Sequence, residues 1–254
     1  MKTSESPNSY SMSSLTKGLK VLGVCNKSSI TTKLLSYHRE LERWNSKINL
    51  TSVLDWESSV SRHYLDSACI CLAYPGLNQP VKVLDIGTGA GIPGIPLKIM
   101  FPSIQMTLLE ATQKKVRFIR HAVETINLGF VDIVDGRAED LARDVDYRGQ
   151  FDLVVARAVA DLSVLVELAL PFCRKKGVFI ALKGKDYNRE IRNSGKAMEQ
   201  LRASVDSIIS VSNHLPTQEG VLIKIVKNCE TPVKYPRRSG IPSKSPLTGV
   251  KWGD

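Results

Sequence analysis

A glycine-rich loop is the first segment of this chain whose residue types could do chemistry. It has the sequence DIGTGAGIPG from Asp85 to Gly94 and directly follows a short apolar run over 81–86. Glycines let the backbone turn tightly and bring a ligand close to the main chain. Gly89, Gly91 and Gly94 also satisfy the dinucleotide pattern G-x-G-x-x-G, which is a weak signal by itself. The loop predicts a nucleotide-type cofactor at the end of a buried strand.

Two carboxylates stand near the loop, and one of them favours a methyl donor over a dinucleotide. Asp85 stands just before the loop, where its charge would repel a pyrophosphate and attract the aminium end of S-adenosylmethionine, directly or through water. Glu110 ends the next apolar run, where an acidic side chain can hold the ribose hydroxyls of either cofactor. An ordinary solvated strand end is the alternative for Glu110. We therefore predict S-adenosylmethionine as the cofactor, with an NAD-linked Rossmann oxidoreductase as the rival enzyme.

Short apolar runs alternate with helical patterns after the loop. This alternation predicts an α/β fold of the Rossmann-like, class I methyltransferase type, whose mostly parallel sheet is covered on both faces. The last two runs are separated only by a loop, so we expect an antiparallel strand at one edge of a seven-stranded sheet. Strands are predicted over 81–86, 105–110, 131–134, 151–156, 178–183, 205–211 and 220–226, and helices over 92–100, 112–126, 161–172 and 188–201.

The flanking regions differ in composition from this central part. The first 30 residues are Ser-rich with few large apolar side chains, which is typical of disorder. Leu34, Leu41 and Ile48 then recur on one helix face, and a second helix is predicted over 56–72. The C-terminal region combines prolines with a cluster of cations. Four parts are expected: a disordered tail over 1–30, a helical extension over 31–76, the cofactor-binding domain over 77–227 and an extended basic arm over 228–254.

The composition limits the classes of molecule that the protein is expected to bind. A formal net charge of +10 favours a polyanion such as nucleic acid, because binding phosphates releases counterions, although excess cations can also serve solubility alone. None of the five cysteines forms a C-x-x-C pair, which favours a reducing cytoplasm and no metal site. No window is apolar enough to span a bilayer. We expect a cytoplasmic, monomeric protein that binds neither membrane nor metal.

The motifs resemble those of the bacterial RsmG/GidB family, guanine-N7 methyltransferases of small-subunit (16S) ribosomal RNA. The resemblance rests on the glycine loop, on GRAE from Gly136 and on ARAVA from Ala156, in this order and spacing. It covers roughly Leu34 to the C-terminus, with Ile92 where an aromatic residue is frequent and Glu110 where a shorter acid is frequent. Further matching segments are Trp44-Asn45, Asn49-Leu50-Thr51, Arg62-His63, Asp66-Ser67, Lys183-Gly184 and Tyr235-Pro236-Arg237-Arg238.

This resemblance implies a cofactor site and a substrate. The substrate would be small-subunit rRNA or the 30S particle, with methylation at guanine N7. A non-catalytic RNA-binding or ribosome-assembly module is the alternative outside the enzymes, since a fold alone does not fix turnover. The resemblance implies S-adenosylmethionine contacts at Gly87, Ile92, Ala138, Glu139 and Arg157, and the loop argument adds Asp85, Gly89, Gly91 and Glu110.

Basic residues at strand ends are the candidates for handling the guanine. Its N7 carries a lone pair and no proton, so no general base is needed and positioning dominates. Arg157, just past the fourth predicted strand, is the first candidate, because its guanidinium could donate to guanine O6 or to a phosphate. Lys183 and Arg137 are secondary catalytic candidates. RNA contacts are predicted at Arg62, His63, Arg237, Arg238 and Lys244, although His63 fits a packed helix position as well.

Overall fold

A computed structural model describes residues 10–25, 27–216 and 218–248. Its seven strands are β1 Lys82–Ile86, β2 Gln105–Glu110, β3 Val131–Asp135, β4 Phe151–Arg157, β5 Cys173–Lys183, β6 Ala203–Ser210 and β7 Val221–Lys227. The α-helices are α1 Ser13–Val21, α2 Ser28–Asn45, α3 Trp56–Ser59, α4 Asp66–Ala68, α5 Ile70–Ala73, α6 Gly94–Met100, α7 Gln113–Thr125, α8 Ala138–Leu141, α9 Leu162–Ala169, α10 Tyr187–Asn193, α11 Gly195–Leu201 and α12 Ile241–Lys244. Among the described residues, no helix is both long and apolar enough to cross a membrane.

The strands form one sheet in the order β3-β2-β1-β4-β5-β7-β6. The first five are parallel to one another, and β7 runs antiparallel to both β5 and β6. This confirms the predicted fold class, and the strand that reverses direction is β7, one position in from the edge. Strand order reverses between β1 and β4, and in open α/β sheets ligands bind beyond the carboxyl ends of the strands at such a point.

Helices on both faces bury the central strands, which explains their nearly continuous apolar sequences. On one face, α2, α6 and α7 pack on the sheet and form a core that includes Ile95 of α6, Phe118 of α7 and Leu153 of β4. On the other, α9 and α11 cover a core that includes Phe172 and Phe179. The carboxyl edge between these two layers is therefore the free edge at which loops can build a site.

The disordered tail predicted over 1–30 is wrong for much of its length. Residues 13–21 form α1, in which Leu15 and Leu19 are fully buried. Gly18 lies so close to Leu65 that a Cβ atom there would sit 2.6 Å from the leucine's δ-carbons. Tertiary packing on one apolar face stabilises a short helix that would not form alone, so the Ser-rich composition did not indicate α1. Residues 1–9 and 26 lie outside the described parts.

Two predicted helices are interrupted in the structure. The one expected over 56–72 contains a π-helix over Val60–Leu65, flanked by α3, α4 and α5. Such wide turns are rare and occur frequently at functional sites. The helix expected over 188–201 is divided into α10 and α11 around Ser194. Apolar periodicity detects that a segment is helical but does not detect a local change of helix type.

The C-terminal arm is docked on the domain, so the extended arm predicted for residues 228–254 is wrong over its described part. Tyr235 and Leu247 are buried in the core beside α9. Arg237 binds the fully buried Glu167 through a fork: Nη2 donates to Oε2 at 2.6 Å and Nε to Oε1 at 2.9 Å. The RNA contact predicted at Arg237 is thus replaced by a structural ion pair. Residues 249–254 lie outside the described residues.

Arg237→Ala is expected to destabilise the fold by about 3 kcal/mol, because it leaves the Glu167 carboxylate buried without its cation. Arg238→Ala is the matched control: Arg238 is exposed, and its loss should change stability by no more than about 0.5 kcal/mol. Urea unfolding of both variants measures the difference. Equal stabilities for the two variants would show that the ion pair does not anchor the arm.

Candidate active site

Asp85 fixes the shape of the glycine loop from beneath. Its Oδ2 accepts hydrogen bonds from Thr88 Oγ1 at 2.5 Å and from the Gly94 N–H at 2.8 Å. A Cβ at Gly94 would lie 2.8 Å from that oxygen and 2.3 Å from Leu108 Cδ2, which explains the glycine. Burial raises the pKa of Asp85 to about 7, against the opposing effect of these hydrogen bonds. Its Oδ1 is buried and has no hydrogen-bond partner among the described residues.

Glu110 fixes the same loop from the side. At the end of β2, its Oε2 accepts from the Gly89 N–H at 2.9 Å and its Oε1 from the Thr112 N–H at 2.8 Å. The side chain is buried. Tyr37 of α2 completes the frame, because its hydroxyl donates to the Ala90 carbonyl at 2.5 Å. The loop is therefore held in position before any ligand binds.

A cavity of about 1140 Å³ opens above this loop at the carboxyl edge of the sheet. Gly87, Gly89 and Ile92 form one wall of it, and Arg157 and Lys183 lie at the ends of β4 and β5. Gly87 and Gly89 have φ values of +62° and +61°, and a Cβ at Gly89 would meet nothing closer than 3.9 Å. Open left-handed glycines above a buried carboxylate fit a cofactor that lies against the main chain and carries a positive group.

Arg157 is held by groups from the π-helix. Its Nη2 donates to Nδ1 of His63 at 3.0 Å, its Nη1 donates to the Arg62 carbonyl, and Asp66 Oδ2 lies 3.8 Å from Nη1. Burial raises the pKa of Asp66 to about 6, while the nearby guanidinium lowers it. Arg157 thus meets three groups from residues 62–66, more than 90 residues earlier in the chain, at one point of the cavity wall.

His63 is a neutral hydrogen-bond relay in this cluster. Burial and then the charge of Arg157 lower its pKa to about 4. Because Nδ1 accepts from Arg157, Nε2 carries the proton and can donate to the Val53 carbonyl at 3.2 Å. Thr51 Oγ1 lies at the same distance from Nε2. His63 therefore links the 50–53 loop to the guanidinium.

The chain is similar to a known protein family over most of its length. The model of the family described as "GidB: rRNA small subunit methyltransferase G" matches residues 30–219. Ribosomal RNA small subunit methyltransferase G of Dehalococcoides mccartyi (strain CBDB1) is 42% identical over 238 residues, covering 93% of this chain and 100% of that protein. That of Thermoanaerobacter sp. (strain X514) is 38% identical over 241 residues, covering 93% and 98%.

The chain belongs to the rRNA small subunit methyltransferase G family. It is a methyltransferase, and the RsmG/GidB resemblance read from its motifs is confirmed. Among solved structures, geranyl diphosphate C-methyltransferase from Streptomyces coelicolor A3(2) has a TM-score of 0.50 at 13% identity, with 75% of this chain and 98% of that chain covered. That likeness supports the fold alone. The family match does not favour the oxidoreductase or the non-catalytic module.

The structure brings seven of the sixteen predicted site residues of this family member together at one cavity. The cavity wall contains predicted residues from all three groups: Gly87, Gly89, Ile92, Arg157, Lys183, Arg62 and His63. Lys183 is already engaged, since its Nζ lies 2.6 Å from Glu190 Oε2 and donates to the Ala160 carbonyl at 2.5 Å. Lys183 is therefore arranged to brace the rim of the cavity.

Other predicted residues lie behind the wall or outside it. Asp85, Gly91 and Glu110 do not line the cavity, and Asp85 and Glu110 hydrogen-bond to the loop; the cofactor contacts predicted at these three residues stay predictions. Ala138 and Glu139 begin α8, three residues after the end of β3, and Glu139 Oε1 accepts from the Gly240 N–H at 2.9 Å. Arg137 is exposed and does not line the cavity, so nothing in its position supports the catalytic role predicted for it.

Sequence reasoning missed several residues that shape the site. Tyr37 and Gln218 carry no motif, and each acts through a contact distant in sequence; Gln218 Nε2, for example, donates to Ser61 Oγ at 2.8 Å. Thr51 stood in a matching segment but was given no role. Asp66 stood in a motif that matched the family but was given no role. Its position three residues after His63, on a helix, was the available signal.

His63 predicts a pH dependence of stability. Its pKa is lowered from 6.5 to about 4, so between these values the unfolded chain binds a proton that the native state does not. The contribution of neutral His63 to the free energy of unfolding is therefore fully present above pH 6.5 and is lost as the pH falls to about 4. In His63→Asn, the Oδ1 of the asparagine can still accept from Arg157, but this side chain has no titratable group. The stability difference between the parent and this variant should shift by on the order of 3 kcal/mol between pH 7.5 and pH 4.

Urea unfolding of both proteins at several pH values measures this shift. Carboxylates common to the two proteins cancel in the difference, which isolates His63. A difference that stays constant with pH would mean that His63 titrates normally and does not accept from Arg157. His63→Gln provides a positional control, because its Oε1 reaches the place of Nε2 and leaves Nη2 of Arg157 without the acceptor that Nδ1 supplies.

Proposed function

We propose that this protein transfers the methyl group of S-adenosylmethionine to N7 of a guanine in small-subunit ribosomal RNA. The observation that carries the proposal is the Arg157 guanidinium, held by the π-helix on the wall of the cavity that the glycine loop also lines. A guanidinium presents a planar set of donors that suits guanine O6 or a phosphate. The family to which the chain belongs supports rRNA as the substrate class.

The residues of the loop would hold the cofactor, which when bound supplies an electrophilic methyl group on a positively charged sulfur. Gly87 and Gly89 leave room for it against the main chain, and Ile92 offers an apolar surface. The Asp85 carboxyl, with its unpartnered Oδ1 beneath the loop, favours a positive group above it. Glu110 keeps the Gly89 N–H in place at 2.9 Å.

Arg157 and its partners would position the guanine. Since N7 bears a lone pair and no proton, the attacking atom needs alignment and no general base. The neutral His63 and the Asp66 carboxylate restrain the guanidinium from one side. The N–H donors of Arg157 that these contacts do not use would then be available to a guanine in the cavity. The chain would thus contribute orientation, which is worth several orders of magnitude in rate when reacting atoms are held in line.

The binding partner would be the rRNA or a 30S particle. The protein would bind it in the cytoplasm as a monomer. A stacked guanine must be exposed or flipped before N7 can enter the cavity, which costs a few kcal/mol. A partly assembled particle in which the target strand is already open would lower that cost. We therefore expect the enzyme to discriminate between forms of the same RNA.

The test is transfer of labelled methyl from S-adenosylmethionine to unmodified small-subunit rRNA, offered free and as 30S particles. We expect label in the RNA of at least one form and none in large-subunit rRNA. Measured cofactor binding without label in either form would contradict the proposal and would favour another substrate. Binding of NAD in place of S-adenosylmethionine would contradict it at the level of the cofactor.

A further inference from the structure

We propose that the substrate RNA docks through its phosphate backbone on a basic face formed by the end of α2 and the first two thirds of α7. This inference rests on the proposed function and names the surface that it uses. The basic face consists of the cations Arg43, Lys47, Lys114, Arg117 and Arg120, all of which are exposed. The predicted RNA contacts at Arg238 and Lys244 lie elsewhere, on the arm.

The two helices are packed against each other in opposite directions. Trp44 near the end of α2 lies over Phe118 of α7 at 5.8 Å between ring centroids, and Lys33 near the start of α2 donates to the Asn127 carbonyl just after α7. The end of α2 therefore lies beside the middle and first half of α7. The cations of the two segments share one surface.

The two segments that carry these cations contain no negative charge, and the exposed Glu124 stands at their border, four residues after Arg120. Residues 43–54 and 111–123 contain no Asp or Glu. Of the nearby carboxylates, Glu40 is engaged with Arg43 at 2.8 Å and with His121 at 2.7 Å, and Asp135 accepts from Gln113. A cluster of cations without intervening carboxylates produces a positive potential that attracts a polyanion.

Fold stability does not explain why these cations are grouped. Lys114 and Lys115 occupy the first turn of α7, where the helix dipole disfavours positive charge, and no acidic residue is present there. Lys114, Arg117 and Arg120 follow at intervals of three, so like charges face one another along the helix. Their arrangement costs stability in the free protein, and a bound phosphate backbone would reverse that cost.

The basic face leads into the active-site cavity. Lys115 of α7 and residues 50–53, which follow α2, both line the cavity. A strand held on the basic face would therefore bring a base to Arg157 over a short distance. The arm is separated from it by the sheet: α12 packs on α9, on the opposite face from α2 and α7. Arg237, the other arm candidate, is occupied by Glu167.

The experiment compares three charge-neutralised proteins, each assayed at full length with unmodified small-subunit rRNA. The first carries Lys47→Gln, Lys114→Gln and Arg117→Gln, which change side chains that form no ion pair with another described residue. The second carries Lys175→Gln, Lys176→Gln and Lys196→Gln, exposed lysines away from the cavity that serve as the matched control for net charge. The third carries Arg238→Gln and Lys244→Gln on the arm.

We expect the first protein to bind rRNA at least 10-fold more weakly, with its KM for RNA raised and its kcat at saturating RNA unchanged. The slope of log Kd against log salt should fall by about one for each phosphate contact removed. The KM for S-adenosylmethionine should not move. The control triple and the arm double should bind RNA within about 2-fold of the parent.

Two results would overturn the inference. One is RNA affinity and salt slope in the first protein equal to those of the control triple, and the other is a loss of affinity confined to the arm variant. Both leave the proposed function intact, because the parent still methylates rRNA. Failure of the parent to methylate contradicts the proposed function instead, while RNA binding by fluorescence anisotropy still tests the basic face.

Discussion

Arg157→Ala is expected to lower kcat for methyl transfer about 100-fold or more, because the guanine loses the group that aligns it with the methyl donor. The guanidinium is fixed by His63 and by the Arg62 carbonyl, with Asp66 close by, so its geometry is set before the substrate arrives. Single-turnover transfer at saturating cofactor and RNA measures the effect on the chemical step. RNA affinity should change much less than kcat.

Two further variants define how Arg157 acts. Arg157→Lys keeps the charge but lacks the planar fork, so we expect it to recover only a small part of the lost rate. Arg174→Ala is the matched control. Arg174 pairs with Asp152 on the surface at the amino ends of β4 and β5, away from Arg157 at the carboxyl end of β4. An Arg157→Ala protein with parental kcat would remove Arg157 from the mechanism. An Arg157→Lys protein with full activity would mean that charge alone suffices.

Gly89→Ala is expected to weaken S-adenosylmethionine binding about 10-fold, which corresponds to about 1.4 kcal/mol. Gly89 has φ +61°, a conformation that costs an alanine about 1 kcal/mol. Relief of that strain would move its N–H away from Glu110, 2.9 Å away, and displace the cavity wall. Equilibrium titration with the cofactor measures the loss, without any need for RNA.

Gly149→Ala controls for the backbone strain. Gly149 has φ +69°, and a Cβ there would meet nothing within 4 Å, much as at Gly89, where the nearest atom is 3.9 Å away; Gly149 lies in the loop before β4, away from the cavity. Both variants should lose about the same stability, and only Gly89→Ala should lose affinity for the cofactor. Parental cofactor affinity in Gly89→Ala would contradict the assignment of this loop as the cofactor wall.

The sequence was most informative where function depends on local backbone. The loop from Asp85 to Gly94 and the position of Glu110 at the end of β2 were predicted correctly, because glycine, strand ends and spacing are local properties. The strand bounds also agree to within a few residues, except that β5 begins five residues before its predicted start. The sequence did not show that Asp85 and Glu110 also hold the loop, since that depends on burial and on hydrogen-bond partners in the folded chain.

The parts that were missed depend on contacts between distant residues. The cluster around Arg157 needs a π-helix to direct the Arg62 carbonyl and His63 toward it, and periodicity does not reveal that helix type. Arg237 was expected to contact RNA because its partner Glu167 lies 70 residues earlier. Helix α1 was assigned to disorder because its two buried leucines find their partners only in the folded protein.

The acceptor atom is expected to be N7 of a guanine positioned by Arg157. The most direct test is to incubate the protein with S-adenosylmethionine and unmodified small-subunit rRNA, and then to cleave the RNA chemically at N7-methylguanine. We predict one strong cleavage site with the parent protein and its loss in Arg157→Ala. Incorporated methyl label without cleavage would place the acceptor on another atom and contradict the account.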